Sequence, residues 1–199
     1  MINRTSVNPN SYKQTQESCI MMTFCIVLER LTSRTFEKTI KEFIFHKKGI
    51  DYDILGIERA ELAFMHEAYS KNPFQNVNHT FFKEYFDEHL SKVYANIKTD
   101  IVYPSNELQT IETNLKSKEA LLSTAIHQER TSGGHGTHIV TIGYDTEYYL
   151  VDTRPNTPPY YLLGNSMNGL KSILYPTFVK DPKPGSQIFF GDCLYIEKT

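Results

Sequence analysis

Cys19, His138 and Asp152 are the residues whose types and order in this sequence fit nucleophilic chemistry. A thiolate attacks a carbonyl carbon, an imidazole takes and returns the proton, and a carboxylate holds the imidazole in one tautomer and orientation. Cys19 stands at the front of an apolar run, CIMMTFCIVL, with Ser18 as its candidate N-cap. At a helix start, unpaired backbone N–H groups and the positive end of the macrodipole favour a thiolate. Cys25 lies nearly two turns further in and gets no such help. The residue pattern alone leaves a second reading, in which Cys19 and Cys25 are both small apolar core residues.

His138 opens the apolar stretch HIVTIGY directly after the Gly-rich QERTSGGHGT, and Asp152 closes EYYLVD, with Asp145-Thr146 as the turn between them. An antiparallel hairpin with so short a turn brings the far ends of its strands side by side. The same two residues also fit a polar pair that closes a hairpin without doing chemistry. Gln14 and Gln16 lie just upstream of Cys19, where a side-chain amide can donate to a developing oxyanion, or simply be solvated. His135 and His138, with His127, Asp152 or Cys19, form the rival set for a metal site. There is no helical HExxH, and no metal or cofactor is expected.

The elements that must position these residues fall into two halves. Residues 19–32 read as a helix that is apolar nearly all round, and so as a central buried one. An amphipathic helix is expected over 33–48 and a further helix over 57–70. Another is expected over 80–97, with Phe81, Phe82, Tyr85, Phe86, Leu90, Val93 and Tyr94 on one broad face, and a short one over 107–115. From there strands dominate: 119–127, 138–144, 147–152, 160–163 and 187–196, with a loop over 154–159 and a short helix over 166–174. Helices followed by strands argue an α+β fold. No repeat or linker interrupts 1–199, so one domain is expected, helical over about 19–117 and sheet over about 118–199.

Composition bounds the partners. The chain of 199 residues is 40% hydrophobic and 13% aromatic, which supports a packed core rather than disorder. With 21 basic and 23 acidic residues it shows no electrostatic bias toward nucleic acid. No apolar run approaches the ~20 residues of a membrane helix. The apolar stretch at 20–28 follows a long polar segment with no basic cluster, unlike a Sec-type signal. Three cysteines, none in a CxxC, make no disulfide framework and suit a reducing compartment.

Two segments carry a family resemblance. QTQESCIMMTFCIVLE resembles the start of papain-like cysteine peptidases: a Gln, a short gap, the Cys, then an apolar helix. The spacing from Gln14 to Cys19 is similar to that of the double-glycine peptidases fused to bacteriocin exporters. THIVTIGYDTEYYLVDTRPN resembles the His strand, turn and Asp strand of the same superfamily, especially in the YopT-type effector peptidases of pathogens. There the Asp is followed by Pro-Asn; here Thr153 and Arg154 come between Asp152 and Pro155-Asn156. Ile20 follows Cys19 where many of these families carry a small residue.

The resemblance implies a papain-like α+β fold, with a helical lobe from the N-terminal half against an antiparallel sheet from the C-terminal half. It makes Cys19 the nucleophile, His138 the general base, Asp152 the orienting carboxylate and Gln14 the oxyanion donor, with Gln16 as the alternative. The site would lie in the cleft between the lobes. The implied activity is a cysteine protease on a protein or peptide, working as a monomer. The implied setting is a bacterial effector delivered without a Sec signal into the cytoplasm of a host, where it acts on a host protein; the alternative is a cytoplasmic protein. A deamidase, a deubiquitinase or an acyltransferase uses the same triad. The competing class is a non-catalytic binding module, with the tyrosines of 144–161 as its contact surface.

Overall fold

The computed structural model describes residues 2, 19–32, 78–158 and 160–199. The helices expected over 33–48 and 57–70, and Gln14, Gln16 and Ser18, lie outside the described residues.

Helix α1 spans Cys19–Thr32 and buries every residue from Ile20 to Leu28, and Leu31. A helix apolar on all sides needs cover on all sides. One side lies on the sheet, against Leu121, Ala125, Ile139, Tyr149, Val151, Leu194 and Ile196. Another meets α2 (His79–Tyr85), where the Phe24 and Phe82 rings stand 4.6 Å apart between centroids. Its continuation, a π-helical turn at Phe86–Leu90, adds Phe86 and Leu90 to the same core.

The sheet has six strands in the order β1-β6-β2-β3-β4-β5. They are β1 (Ile97–Val102), β2 (Glu119–Glu129), β3 (His135–Tyr144), β4 (Tyr148–Val151), β5 (Tyr161–Gly164) and β6 (Phe189–Lys198), and every pairing is antiparallel. Helix α3 (Pro104–Ser117) covers the face opposite α1, setting Ile111 and Leu115 against Leu122, Ile126, Val140, Ile142, Tyr148 and Leu150. Successive strand residues point to opposite faces. With both faces covered, β2 is buried continuously from Ala120 to Ile126 instead of alternating, with Ser123 and Thr124 as the polar residues in that run.

The α+β class and the antiparallel sheet are as the sequence suggests, but its division at about 117 is corrected. β1 lies in the first half and pairs with β6, so the sheet draws a strand from the part expected to be wholly helical. The helix expected over 80–97 ends at Leu90, and Val93, expected on its apolar face, is 66% exposed. α3 starts earlier than the expected 107 because Pro104 fits a first helical turn, where its missing N–H costs nothing. β3 begins at His135, which shortens the expected Gly-rich loop. Tyr148 and Tyr149 are fully buried, which removes them from any contact surface.

Two packing details fix the frame of the site. A buried polar row ties α1 to the sheet and to α2. Thr23 Oγ1 lies 2.8 Å from Ser123 Oγ, Ser123 Oγ lies 3.1 Å from His79 Nε2, and His79 Nδ1 lies 3.1 Å from Asp192 Oδ2. Thr23 is about one turn beyond Cys19, so the row sets the height of the helix start over the sheet. At Gly143 a Cβ would strike the Tyr149 ring and Leu121, so glycine lets that ring cross β3 and its hydroxyl donate to Ile2 O at 2.9 Å. No helix among the described residues is long and apolar enough to cross a membrane.

Ile111→Ala should cost about 2–5 kcal/mol in chemical denaturation, because it opens a cavity between α3 and the sheet. Val93→Ala should stay within about 0.5 kcal/mol, as befits an exposed residue. A large loss at Val93 would contradict the early end of the second helix.

Candidate active site

Cys19, His138 and Asp152 are brought together at one end of the sheet. Cys19 is the first residue of α1 and half-buried, with the helix's unpaired N–H groups beside it. His138 lies near the start of β3. It shares a sheet face with Val140 and Ile142, which belong to the core on the α3 side. β4 ends at Val151, so the chain leaves the sheet at Asp152 and β3 has no β4 neighbour beside His138. The Cys19 and Asp152 side chains both bear on the His138 ring, and each favours its protonated form. Its Nε2 stands 2.9 Å from Asp152 Oδ1. That leaves Nδ1 as the ring nitrogen for the sulfur.

Asp152 is 0% exposed and His138 5%. A carboxylate so buried persists as an anion only when its oxygens are occupied by donors. Oδ1 accepts the Arg154 backbone N–H at 2.8 Å beside the imidazole, a turn closed by the aspartate's own side chain. Oδ2 accepts Arg154 Nε at 3.0 Å, Arg154 Nη2 at 2.7 Å and the Tyr175 hydroxyl at 2.6 Å. Burial is the largest single influence on the Asp152 carboxyl and pushes it up. The hydrogen bonds from His138, Arg154 and Tyr175 outweigh it and hold the group well below the usual carboxylate range.

His138 shows the same contest. Burial is again the largest influence and disfavours the imidazolium. The hydrogen bonds to Asp152 and Cys19, with the charges of those groups, outweigh it and raise the pKa from 6.5 to about 8. Near neutral pH the ring therefore holds its proton between a carboxylate and a sulfur.

A strap at 172–186 closes over this end of the sheet. Phe178 lies against the His138 ring at 5.8 Å between centroids. The Arg154 guanidinium lies 5.2 Å from the Tyr175 ring centre and donates to the Thr177 carbonyl at 2.9 Å. The strap is pinned to the ends of β2 and β3 by Thr131 N donating to Asp181 O (2.8 Å) and Lys183 N to Glu129 O (3.0 Å). Val179 fills the space where Gly136 has no side chain.

The other candidates separate from this cluster. Cys25 and Cys193 are buried, and burial pushes the Cys193 thiol up. The suggested His135–His138 metal pair is not formed: three positions apart on one strand, the two side chains take opposite faces. His135 instead meets the Phe189 ring, as does His127. Among the described residues no group of three or more His, Cys, Asp or Glu is placed to hold a metal ion. Ser123, His79 and Asp192 also line up as hydroxyl, imidazole and carboxylate, but Ser123 is 1% exposed beneath α1, where no substrate reaches it.

Arg154, Tyr175 and Phe178 were not found from the sequence. For Arg154 the signal was its place two residues after an Asp, at the offset of an aspartate-closed turn. For Tyr175 and Phe178 no local signal exists, since the strap reaches the site only through tertiary folding. No protein-family model matches this chain, and no curated protein matches it.

The two shifts set the pH range of stability. His138 has its folded pKa above 6.5, so its contribution is complete below that value and lost as pH rises through about 8. Asp152 is depressed, so its contribution is present above the ordinary carboxylate range and lost as pH falls below it. The thermal midpoint should be highest between about pH 5 and 6.5 and should decline on both sides. In Asp152→Asn the decline from pH 6.5 to 8 should flatten; an unchanged slope would contradict the pairing.

Proposed function

We propose that this protein is a papain-like cysteine hydrolase whose triad is Cys19, His138 and Asp152, most directly a peptidase acting on a protein. The observation that carries the reading is the row itself: a half-buried helix-start thiol that bears on a buried imidazole, and a buried carboxylate hydrogen-bonded to that imidazole. Each part has a place in acyl transfer. The Cys19 sulfur, as thiolate, attacks the substrate carbonyl, and the imidazolium of His138 gives its proton to the departing amine. Neutral His138 then takes a proton from water, which attacks the thioester and frees Cys19. Asp152 stays ionised throughout, holding the ring with one nitrogen toward the sulfur. The oxyanion donor is assigned by resemblance to Gln14, or to Gln16.

The resemblance to effector peptidases supports a bacterial protein delivered into a host cell. Recovery from infected-cell cytosol that depends on a dedicated secretion system would support this, and strict retention in the bacterium would refute it. Deamidase, deubiquitinase and acyltransferase activities differ only in what leaves the carbonyl and what attacks next. They are separated by the products.

Peptide-library cleavage, read by mass spectrometry, tests the reading. Cys19→Ala and His138→Ala should each abolish cleavage while thermal unfolding stays cooperative. Asp152→Ala should lower the rate by about 10²–10⁴. Cys25→Ala and Cys193→Ala should cleave like the wild type. Cleavage that survives in Cys19→Ala would overturn the assignment.

A further inference from the structure

The carboxylate of Asp152 is divided between two jobs. Oδ1 faces His138 and the Arg154 backbone N–H, while Oδ2 is taken by two guanidinium nitrogens and a phenol. A triad needs from its carboxylate only that it orient the imidazole and favour the tautomer. An unneutralised buried carboxylate would do more: it would hold the imidazolium so firmly that the proton could not be passed on. Here the Arg154 cation is fixed from three directions. It pairs with Asp152, it donates to the carbonyls of Pro176 and Thr177, and it lies against the Tyr175 and Phe178 rings. With Arg154 opposite Asp152, a thiolate and an imidazolium add one charge of each sign, and the buried site stays neutral overall.

We propose that Arg154 is the positioning and charge-setting residue of the triad. With the Tyr175 hydroxyl it occupies Oδ2, leaves Oδ1 alone to face His138, and draws enough charge from the carboxylate that the imidazolium can release its proton. This rests on His138 acting as general acid and base. Among the described residues the groups that bear on the ring's charge are few. Cys19 faces it from α1 and Asp152 from the end of β4. Arg154 follows in the next turn, Tyr175 comes from the strap, and Tyr161 on β5 feels the Asp152 charge and lies against Tyr175. Ile126 is opposite on β2. Arg154 is the sole cation in that set.

The test is the titration of the His138 ring by NMR, in a Cys19→Ala background so that the thiol's own titration drops out. The backbone N–H of residue 154 and Tyr175 still hold the carboxylate in Arg154→Met. That variant should raise the His138 midpoint by about one unit or more, a tenfold gain in proton affinity. Arg154→Lys, which keeps the charge, should bring the midpoint back most of the way. Tyr175→Phe should raise it by a smaller amount, and stands as the test if Arg154→Met does not fold. A midpoint unmoved or lowered in the folded Arg154→Met and Tyr175→Phe variants would overturn the inference and make the clamp structural only. The two readings fail separately. An unmoved His138 leaves the hydrolase assignment standing, and ordinary thiol behaviour at Cys19 in the wild type would end that assignment without changing the titration.

Discussion

The charge on Asp152 is the constraint around which this end of the molecule is built. A carboxylate with no exposed surface costs several kcal/mol unless its oxygens are filled by charged or well-placed donors. The chain meets that cost in three ways at once. It turns immediately after β4 so that the Arg154 N–H caps Oδ1, it folds the guanidinium back on Oδ2, and it lays a strap across the sheet end to deliver Tyr175. Removing any one partner leaves a buried charge under-satisfied, which is why the arrangement specifies one geometry rather than a family of them. His138 inherits that rigidity: its ring is held from the Asp152 side and by Phe178, and only its other nitrogen is left for chemistry.

Cys19 is placed by a separate set of forces. α1 is buried nearly throughout, so its position follows from apolar packing between the sheet and α2. Packing alone tolerates small slides of a helix along its axis. The row Thr23–Ser123–His79–Asp192 removes that freedom, because its hydrogen bonds close at one height only. Sulfur and imidazole therefore meet where two independently fixed bodies meet, a helix start and a strand-end turn. The proposed chemistry depends on their agreement.

Much of this was legible in the sequence, for local reasons. The hairpin of β3 and β4 is written as two apolar stretches around Asp145-Thr146, and a short turn leaves little choice of register, so His138 and Asp152 could be paired from spacing alone. α1 was legible because an apolar run led by Cys19, with no Pro or Gly to break it, admits few other readings. β1 was not, since IKTDIV alternates weakly and its partner β6 lies near the other end of the chain. The placement of α3 on the far face was hidden for the same reason: Ile111 and Leu115 show a helix's apolar stripe but not which face of the sheet it meets. Arg154 and Tyr175 were hidden more deeply. An Arg in a Pro-rich loop and a Tyr in an irregular segment become part of the site only through the need to satisfy a carboxylate, and that need is set by burial.

The central claim of the proposed function is that Cys19 works as a nucleophile paired with His138. The most direct measurement is the rate of iodoacetamide alkylation at Cys19, Cys25 and Cys193 as a function of pH, in the folded protein, resolved by mass spectrometry. A coupled pair gives Cys19 a rate at about pH 6 at least tenfold above the other two, and His138→Ala removes that advantage. If Cys19 instead reacts only as pH approaches the ordinary thiol value of about 8.5, indifferent to His138, it is core filling at a helix start and the pair does not exist.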